Sequence, residues 1–321
     1  MRPMSLDLSV VIPLYNEEES LPELVEWIER VCTEHKLSHE IIMIDDGSTD
    51  DSWKVVEELA RDHQSVKGIK FQRNYGKSPA LHEGFKAAMG NVVITMDADL
   101  QDSPDEIPEL YSMIMTDGYD LVSGWKKVRY DNAVTKNLPS KLYNGVNRRL
   151  TGIKLHDMNC GLKSYKRKVV KSIEVYGEMH RFIPVLAKYA GFKKIGEKVV
   201  QHRPRKYGSS KFGWERFING FLDLLSIQFV SRFGKKPMHL FGALGSFTFL
   251  LGFFFTASLI IDKIRLGADF GITNKPAFYL SLLAMMMGTL FFLTGFIAEL
   301  ITRNAADRNV YLMDEKIGWE N

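Results

Sequence analysis

Residues 91–104 read NVVITMDADLQDSP, an almost wholly apolar run followed at once by three aspartates. The apolar run is typical of a buried strand, and the acids follow where that strand must end. Carboxylates so close together raise one another's pKa and destabilise a fold unless a cation lies among them. Asp97 and Asp99 offer hard oxygen ligands, which predicts an Mg²⁺ or Mn²⁺ site shared with a substrate phosphate. A lone DxD is also common by chance and can instead cap the helix that follows Ser103.

Strand and helix patterns alternate on both sides of this stretch. The segments LSVVIPLY, EIIMID, KGIKFQR, NVVITM and YDLVSG are typical of strands, and segments with helical spacing of apolar residues separate them. This alternation predicts an α/β fold with a mainly parallel sheet covered by helices on both faces. Because ligands bind beyond the carboxyl ends of such strands, Asn16, Glu17 and the DDGS of residues 45–48 should reach the same edge as Asp97 and Asp99.

Two long segments toward the C-terminus, residues 238–261 and residues 277–298, contain no charged residue. Each is long enough to cross ~30 Å of hydrocarbon at ~1.5 Å per residue, and buried helices of soluble proteins are rarely apolar on every face. A short connector joins them, which predicts a hairpin with both ends on one side of a membrane. Neither span holds an ionisable residue before Glu299, as is typical of an anchor rather than of a transporter or channel.

Basic residues predict the orientation of this hairpin. The side with both of its ends carries Arg232, Lys235, Lys236, Arg303 and Arg308, whereas the connector carries Lys263, Arg265 and Lys275. The positive-inside rule therefore predicts that the N-terminal domain and both termini are cytoplasmic. The aromatic-rich amphipathic pattern ahead of the hairpin either lies in the headgroup plane or packs against the soluble domain. The predicted organisation is a cytoplasmic catalytic domain over residues 1–210, an amphipathic juxtamembrane segment over 211–236, two transmembrane helices within 237–302 and a cytoplasmic tail over 303–321.

Composition narrows the function classes. A net charge of +3 and a pI of 8.6 are too mild to indicate nucleic-acid binding. The two cysteines, Cys32 and Cys160, have no CxxC or histidine spacing, which argues against a zinc site and a disulfide framework.

Five motifs occur in the order of a known family. VVIPLYNEEESLPEL, IIMIDDGSTDDS, RNYGKSPAL, MDADLQDSPDEIPEL and MNCGLKSYKR resemble the motifs of family 2 glycosyltransferases of the GT-A fold, the Rossmann-like nucleotide-diphospho-sugar transferases. More narrowly, the chain is similar to the polyprenyl-phosphate glycosyltransferases, which include dolichol-phosphate mannosyltransferase and bacterial undecaprenyl-phosphate glucosyltransferases. The two-helix anchor fits the multi-span members of that group.

The resemblance implies roles for the residues at the sheet edge. The nucleotide pocket would be lined by Pro13, Tyr15 and Glu17. The base or ribose would be held by the pair Asp45 and Asp46, with Arg73 near that pair. The metal that neutralises the donor diphosphate would be surrounded by Asp97, Asp99 and Gln101. Carboxylates accept well from ribose hydroxyls and base N–H groups, which agrees with this assignment. In the alternative reading Pro13 only ends a strand and Asp45 only caps a turn.

The acceptor implied by the resemblance is a lipid phosphate, undecaprenyl or dolichyl phosphate. The basic stretch KVVQHRPRKYGSSKF resembles the R-x-x-G-x-S-K element of the family, with Arg205, Ser210 and Lys211 in the matching places, and Arg129 is a further candidate phosphate ligand. The alternative is a generic basic collar for anionic headgroups. The family often has arginine soon after the glycine that ends the preceding strand, where this chain has Trp125 and Lys126, and this departure leaves the acceptor contacts open.

Asp157 matches the aspartate that the family is expected to use as catalytic base. A phosphate with a second pKa of about 6 is already largely ionised at neutral pH, so Asp157 can instead orient the acceptor or stabilise charge at the anomeric carbon. The implied reaction is an inverting, metal-dependent transfer from a UDP-glucose or GDP-mannose type donor to polyprenyl phosphate at the cytoplasmic membrane face. Rival readings are a processive glycan synthase, whose QxxRW element is missing, and an inactive membrane-anchored binding protein. Self-association into a homo-oligomer is also plausible.

Overall fold

The apolar segments of the N-terminal part form the predicted sheet. The computed structural model describes residues 6–127, 152–204, 206–207, 237–267, 271–304 and 313–317, with the backbone alone for 302–304 and 313–317. The chain divides into two units, residues 1–227 with 309–321 and residues 228–308, and each is described by itself. The predicted amphipathic segment over 211–236 lies outside the described residues.

The first unit contains an eight-stranded sheet in the order β7-β5-β6-β4-β1-β2-β3-β8. The strands are β1 (Leu8–Leu14), β2 (His39–Asp45), β3 (Val66–Phe71), β4 (Val92–Thr95), β5 (Leu121–Trp125), β6 (Lys163–Lys166), β7 (Ile195–Val199) and β8 (Met313–Ile317). The four strands β4, β1, β2 and β3 run parallel, whereas β6 is antiparallel to both β4 and β5, and β7 is parallel to β5. The predicted α/β fold with a largely parallel centre is confirmed.

Helices cover both faces of this sheet. They are α1 (Leu21–Glu34), α2 (Ser52–Asp62), α3 (Lys77–Ala87), α4 (Ile107–Met115), α5 (Arg167–Lys171) and α6 (Ile183–Tyr189), with 3₁₀ turns at Pro104–Glu106 and Met179–Phe182. Alternate residues of β1 separate two cores, because Val10 and Ile12 pack with α1, α2 and α4 while Val11 packs with α3, α5 and α6. Burial on both faces explains why the strands read as continuous apolar runs.

Residues 313–317, within the predicted C-terminal tail, form a strand of the sheet. Strand β8 pairs antiparallel with β3, with Gly68 opposite Ile317 and Phe71 opposite Met313. Part of the predicted tail over 303–321 thus belongs to the sheet, and the rest of that prediction after Asn304 falls on residues outside those described. The physical reason is that β3 would otherwise present unpaired backbone groups along an open edge.

The second unit is a pair of long apolar helices, α7 (Pro237–Leu266) and α8 (Pro276–Asn304), joined through a 3₁₀ turn at Ile272–Asn274. Both are apolar along most of their length, and by length and composition each could cross a membrane. Both helices are longer than the predicted spans of residues 238–261 and 277–298, because they also include polar residues at their C-terminal ends. Their outward aromatic side chains are exposed, Phe247 by 66% and Phe254 by 65%, as expected for a surface that faces lipid.

Small residues let α7 and α8 approach closely. A Cβ atom at Gly245 would lie 2.6 Å from the Gly288 carbonyl oxygen, and one at Gly252 would lie 2.5 Å from the Ser281 carbonyl oxygen. These contacts are with backbone, which cannot move aside. The Thr256 hydroxyl also lies 2.8 Å from the Ser281 hydroxyl. Close packing through small residues and hydroxyl pairs is a common way for helices to associate in lipid, where burial of apolar surface gives no advantage.

Candidate active site

The loops that follow β1 and β2 are tied together at the carboxyl edge of the sheet. The Asn16 N–H donates to Ser48 Oγ at 2.9 Å, and the Thr49 N–H donates to Asn16 Oδ1 at 2.8 Å. Asn16 has a φ of 54°, a left-handed conformation that asparagine tolerates better than most residues. The Glu17 N–H donates to Ser52 Oγ at 2.9 Å. These bonds fix the mouth of the predicted nucleotide pocket, where the side chains of Pro13, Tyr15 and Glu17 are all half-buried.

Asp45 has a buried carboxylate oxygen that is available to a ligand. Its side chain is buried, and its Oδ1 accepts the Ser48 N–H at 2.9 Å. Its Oδ2 is buried without a hydrogen-bond partner among the described residues. Burial raises the pKa of this carboxyl, with the Ser48 hydrogen bonds acting in the opposite direction. Buried polar atoms in native proteins nearly always have a partner, so Oδ2 fits an incoming N–H or hydroxyl group.

The adjacent Asp46 is already engaged. Its Oδ1 accepts the Tyr75 N–H at 2.7 Å and its Oδ2 accepts the Gly76 N–H at 2.8 Å. Burial raises the pKa of Asp46 to about 6. These bonds attach the end of β2 to the loop before α3, in which Arg73 lies 4.8 Å over the Tyr75 ring. Asp46 therefore ties the β2 loop to the loop before α3, and direct nucleotide contacts from Asp46 and Arg73 stay predictions.

The acidic stretch after β4 forms an ion pair with a lysine at the start of α3. The Lys77 ammonium donates to Asp97 Oδ1. Burial raises the pKa of Asp97, but the positive charges of Lys77 and Lys126 outweigh that effect and lower it to about 2. A Cβ atom at Gly161 would overlap the Asp97 carboxylate, so only glycine leaves room for this side chain. Asp97 is thus held as an ionised carboxylate between α3 and the segment ahead of β6.

Asp99 and Gln101 lie on the turn that follows. Asp99 Oδ1 accepts the Gln101 N–H at 3.2 Å, and the intervening Leu100 has a φ of 59°. No group of three or more His, Cys, Asp and Glu side chains in the described part of the chain is arranged to hold a metal. The carboxylates of Asp97 and Asp99 with the Gln101 amide form an incomplete set of hard oxygen donors. Such a set suits Mg²⁺ or Mn²⁺ when substrate phosphate oxygens complete the coordination.

The last aspartate of the stretch forms a buried ion pair that the sequence did not reveal. Asp102 is 0% exposed, and the Lys126 ammonium lies 2.6 Å from its Oδ1. Burial lowers the pKa of Lys126, but the Asp102 charge outweighs burial and raises it overall. Lys126 stands where the family often has arginine, and here it neutralises the acidic stretch. The backbone of Asp102 also forms a β-bridge with His202.

That bridge brings the basic stretch beside the acidic one. The Arg203 N–H donates to the Gln101 carbonyl at 2.9 Å, and the Arg203 guanidinium stacks 4.2 Å over the Trp27 ring. Lys206 pairs with Glu23 at 2.6 Å, and Lys198 on β7 pairs with Glu106 and Glu109. These cations hold the segment in place. The predicted lipid-phosphate ligands Arg129, Arg205, Ser210 and Lys211 lie outside the described residues, and their roles stay predictions.

Asp157 lies buried where the chain approaches β6. Its carbonyl oxygen accepts from the Ser123 hydroxyl at 3.2 Å, and its Oδ1 accepts the Asn159 N–H at 3.2 Å. The neighbouring His156 stacks on Trp125 with ring centroids 4.1 Å apart, and its Nδ1 bonds Glu197. These contacts fix the backbone on both sides of Asp157. The role of the Asp157 carboxylate as a catalytic base stays a prediction.

Sequence reasoning assigned no structural role to three lysines of this site: Lys77, Lys126 and Lys163. Lys163 is buried and lies on β6, where its ammonium donates to the Cys160 carbonyl. The sequence did contain a feature that could have identified these lysines: cationic residues that stand in or directly beside apolar strands, or at the start of a helix. Such cations are costly to bury unless a negative group or a ligand faces them.

Comparisons with known proteins found a matching family model and similar relatives. The model of the family described as Glycosyl transferase family 2 matches residues 9–174. The dodecaprenyl-phosphate galacturonate synthase of Rhizobium johnstonii is 36% identical over 93% of this chain and 88% of its own length. The undecaprenyl-phosphate 4-deoxy-4-formamido-L-arabinose transferase of Pseudomonas aeruginosa is 36% identical over 96% of this chain and 88% of its own length.

Solved structures share the fold. Glucosyl-3-phosphoglycerate synthase from Mycobacterium tuberculosis, in complex with Mn²⁺, UDP-glucose and phosphoglyceric acid, superposes with a TM-score of 0.52 at 18% identity, over 70% of this chain and 79% of that chain. The same enzyme in complex with Mg²⁺ and UDP has a TM-score of 0.54 at 20% identity, over 69% of this chain and 80% of that one. At these identities the likeness concerns the fold alone.

Proposed function

Because the chain belongs to glycosyltransferase family 2, we propose that it transfers a sugar, with inversion, from a nucleotide-diphosphate donor to a polyprenyl phosphate. The observation that carries this proposal is one sheet edge that presents both the unpartnered Asp45 oxygen and the acidic turn of Asp97 and Asp99. The first group suits a nucleoside and the second suits a diphosphate. Relatives named for polyprenyl-phosphate acceptors match along nearly the whole chain, the apolar hairpin included.

The donor diphosphate is expected beside Asp97, Asp99 and Gln101. These residues would hold Mg²⁺ or Mn²⁺, which would supply a Lewis acid for the departing diphosphate. The solved structures that share the fold contain these two ions, which supports the choice. The chain's own contribution is to keep Asp97 ionised and fixed through Lys77 and the space left by Gly161.

The acceptor phosphate is expected to approach from the side of Asp157. Since this phosphate is largely ionised at neutral pH, the first task of a buried aspartate here is to orient it or to stabilise charge at the anomeric carbon. Arg129, Arg205, Ser210 and Lys211 remain its proposed ligands. An apolar hairpin in the same chain supports a lipid acceptor, because such an acceptor is confined to the membrane.

Relatives leave the sugar open, since one is named for galacturonate and others for 4-deoxy-4-formamido-L-arabinose. The test is to incubate the detergent-purified full chain with Mn²⁺, undecaprenyl or dolichyl phosphate, and a panel of UDP- and GDP-linked sugars. We expect one donor to give a lipid-phospho-sugar that mass spectrometry identifies and that requires the divalent ion. Binding of nucleotide without turnover of any donor would contradict the proposal.

We also propose that the sheet-bearing unit lies on the cytoplasmic side. The excess of basic residues at the two ends of the hairpin supports the cytoplasmic side. Strand β8 follows α8 in sequence and belongs to the same sheet as β1 to β4, which supports placing both ends of the hairpin on one side. A Thr273→Cys variant in the connector should react with a membrane-impermeant maleimide in intact cells. Buried Cys32 and Cys160 should stay silent, because burial raises the pKa of each thiol to about 12.

The matched control for orientation is Glu58→Cys on the exposed face of α2. It should react only after the cells are lysed. Labelling of Glu58→Cys in intact cells, with protection of Thr273→Cys, would reverse the proposed orientation.

A further inference from the structure

The turn from Asp99 to Gln101 has a costly backbone conformation. Leu100, between them, has a φ of 59°, in the left-handed region that a leucine rarely adopts. Its side chain is 4% exposed and belongs to the same hydrophobic core as Trp27 of α1. A costly conformation persists only where the surrounding structure holds it. Contacts from outside the turn are therefore needed to keep Asp99 and Gln101 in this arrangement.

A tryptophan holds the chain where it leaves this turn. The Trp27 indole N–H donates to Asp105 Oδ1 at 2.8 Å, and the Ser103 hydroxyl donates to Asp105 Oδ2 at 3.2 Å. Trp27 is 9% exposed and lies on the buried face of α1. The segment after the turn is thus attached to a helix of the core and not to another loop.

The same tryptophan holds the segment that lies across the turn. The Arg203 guanidinium stacks 4.2 Å over the Trp27 ring and lies 3.9 Å from Asp105 Oδ2. The Arg203 N–H donates to the Gln101 carbonyl at 2.9 Å, and Gln101 Nε2 donates to the Arg203 carbonyl at 3.5 Å. Because this second bond uses the amide nitrogen of Gln101, it orients the amide and leaves its oxygen as the atom that suits a hard cation.

Two roles for Arg203 can be told apart. A phosphate ligand would act directly through its guanidinium, as arginines of a basic stretch often do. A positioning residue would act through its neighbours. The contacts favour the second role, because the guanidinium faces an aromatic ring and a carboxylate while the backbone bonds Gln101.

We propose that Arg203 and Trp27 are positioning residues for the turn from Asp99 to Gln101, and that they keep its oxygen donors arranged for Mg²⁺ or Mn²⁺ with the donor diphosphate. The inference rests on the proposed function and adds two residues to the same site. Trp27 fixes Arg203 and Asp105, and the Arg203 backbone fixes Gln101. Groups that orient metal ligands commonly contribute about 10- to 100-fold to metal affinity.

The test measures the gain in nucleotide affinity that Mn²⁺ gives, which does not depend on turnover. UDP and GDP are each titrated by calorimetry into the full chain in detergent, with and without Mn²⁺. In Arg203→Ala and in Trp27→Leu we expect this gain to fall by about 3- to 30-fold, with affinity in the absence of Mn²⁺ unchanged. Trp27→Phe keeps an aromatic face for Arg203 and should stay within about 3-fold of the wild type.

Arg30→Ala is the matched control. Its guanidinium lies 3.8 Å from the same Asp105 and 6.0 Å from the same Trp27 ring, but Arg30 belongs to α1 and not to the segment bonded to Gln101. It should keep the wild-type response to Mn²⁺. The double variant Arg203→Ala with Trp27→Leu should be no weaker than the weaker single variant, because the two residues act as one unit.

Other outcomes would overturn the positioning role. These are additive losses in the double variant, a wild-type Mn²⁺ response in both single variants, or an equal loss of affinity without Mn²⁺. A higher KM for undecaprenyl phosphate in Arg203→Ala, with Trp27→Leu unaffected, would make Arg203 a phosphate ligand instead. Arg203 is 47% exposed, so Arg203→Ala keeps the proposal testable should Trp27→Leu fail to fold. A wild-type chain that bound neither nucleotide more tightly with Mn²⁺ would instead contradict the proposed function.

Discussion

Alanine at Asp99 is expected to lower metal-dependent sugar transfer by about 100- to 1000-fold, the usual loss when one group that stabilises a charged transition state is removed. Asp99 lies on the turn between the fixed carboxylate of Asp97 and the Gln101 amide, and its Oδ1 already orders this turn. Its removal would leave the diphosphate facing one carboxylate that is occupied by Lys77. Initial rates measured against Mn²⁺ concentration check this expectation.

The comparison variant is Asp117→Ala, an exposed acid in the loop after α4. It should retain wild-type rates across the whole Mn²⁺ titration. Because Asp99 is only half-buried, the Asp99→Ala chain should keep its melting temperature within a few degrees. Intact metal-dependent transfer in folded Asp99→Ala would remove the basis for placing the cation at this turn.

Much of the site's location could be predicted from the sequence, because two simple patterns meet there. The apolar run before Asp97 marks a buried strand, and parallel strands deliver their carboxyl ends to one edge, which accounts for Asp45 and Asp97 together. Order and spacing of the motifs then indicated the family. Both are properties of local sequence, so no tertiary information was needed.

Other features depend on contacts that local sequence does not encode. Adjacent Asp45 and Asp46 look alike in sequence. Asp45 has a buried oxygen without a hydrogen-bond partner among the described residues, whereas both carboxylate oxygens of Asp46 accept backbone N–H groups, from Tyr75 and Gly76. Strand β8 is five residues long and has no clear alternation, and it forms because β3 presents an open edge. Contacts between segments that are distant in sequence determine both the hydrogen bonding of Asp46 and the formation of β8.

Methionine at Lys126 is expected to destabilise the sheet-bearing unit by about 3–5 kcal/mol, the usual cost of leaving one member of a buried ion pair alone. Asp102 is fully buried, and its ion pair among the described residues is with Lys126, at 2.6 Å. For a unit of this size the melting temperature should fall by roughly 6–20 °C, from about 2–4 °C for each kcal/mol. Tryptophan fluorescence during heating in detergent measures the change.

Lys127→Met provides the matched control, since Lys127 is the next residue and is exposed. It should melt within about 2 °C of the wild type, as expected for a surface substitution. The double variant Asp102→Asn with Lys126→Met should recover part of the loss, because the neutral amide does not need a cation.

The loss in Lys126→Met should also depend on pH in a defined direction. Burial already raises the pKa of Asp102 in the native chain, and removal of Lys126 takes away the largest opposing charge. A carboxyl whose pKa is higher in the folded state than its unfolded value of about 3.9 makes the folded state less stable as pH rises above that value. The deficit should therefore be larger at pH 8 than at pH 5, whereas a deficit independent of pH would mean that lost packing, and not the stranded Asp102 charge, causes it.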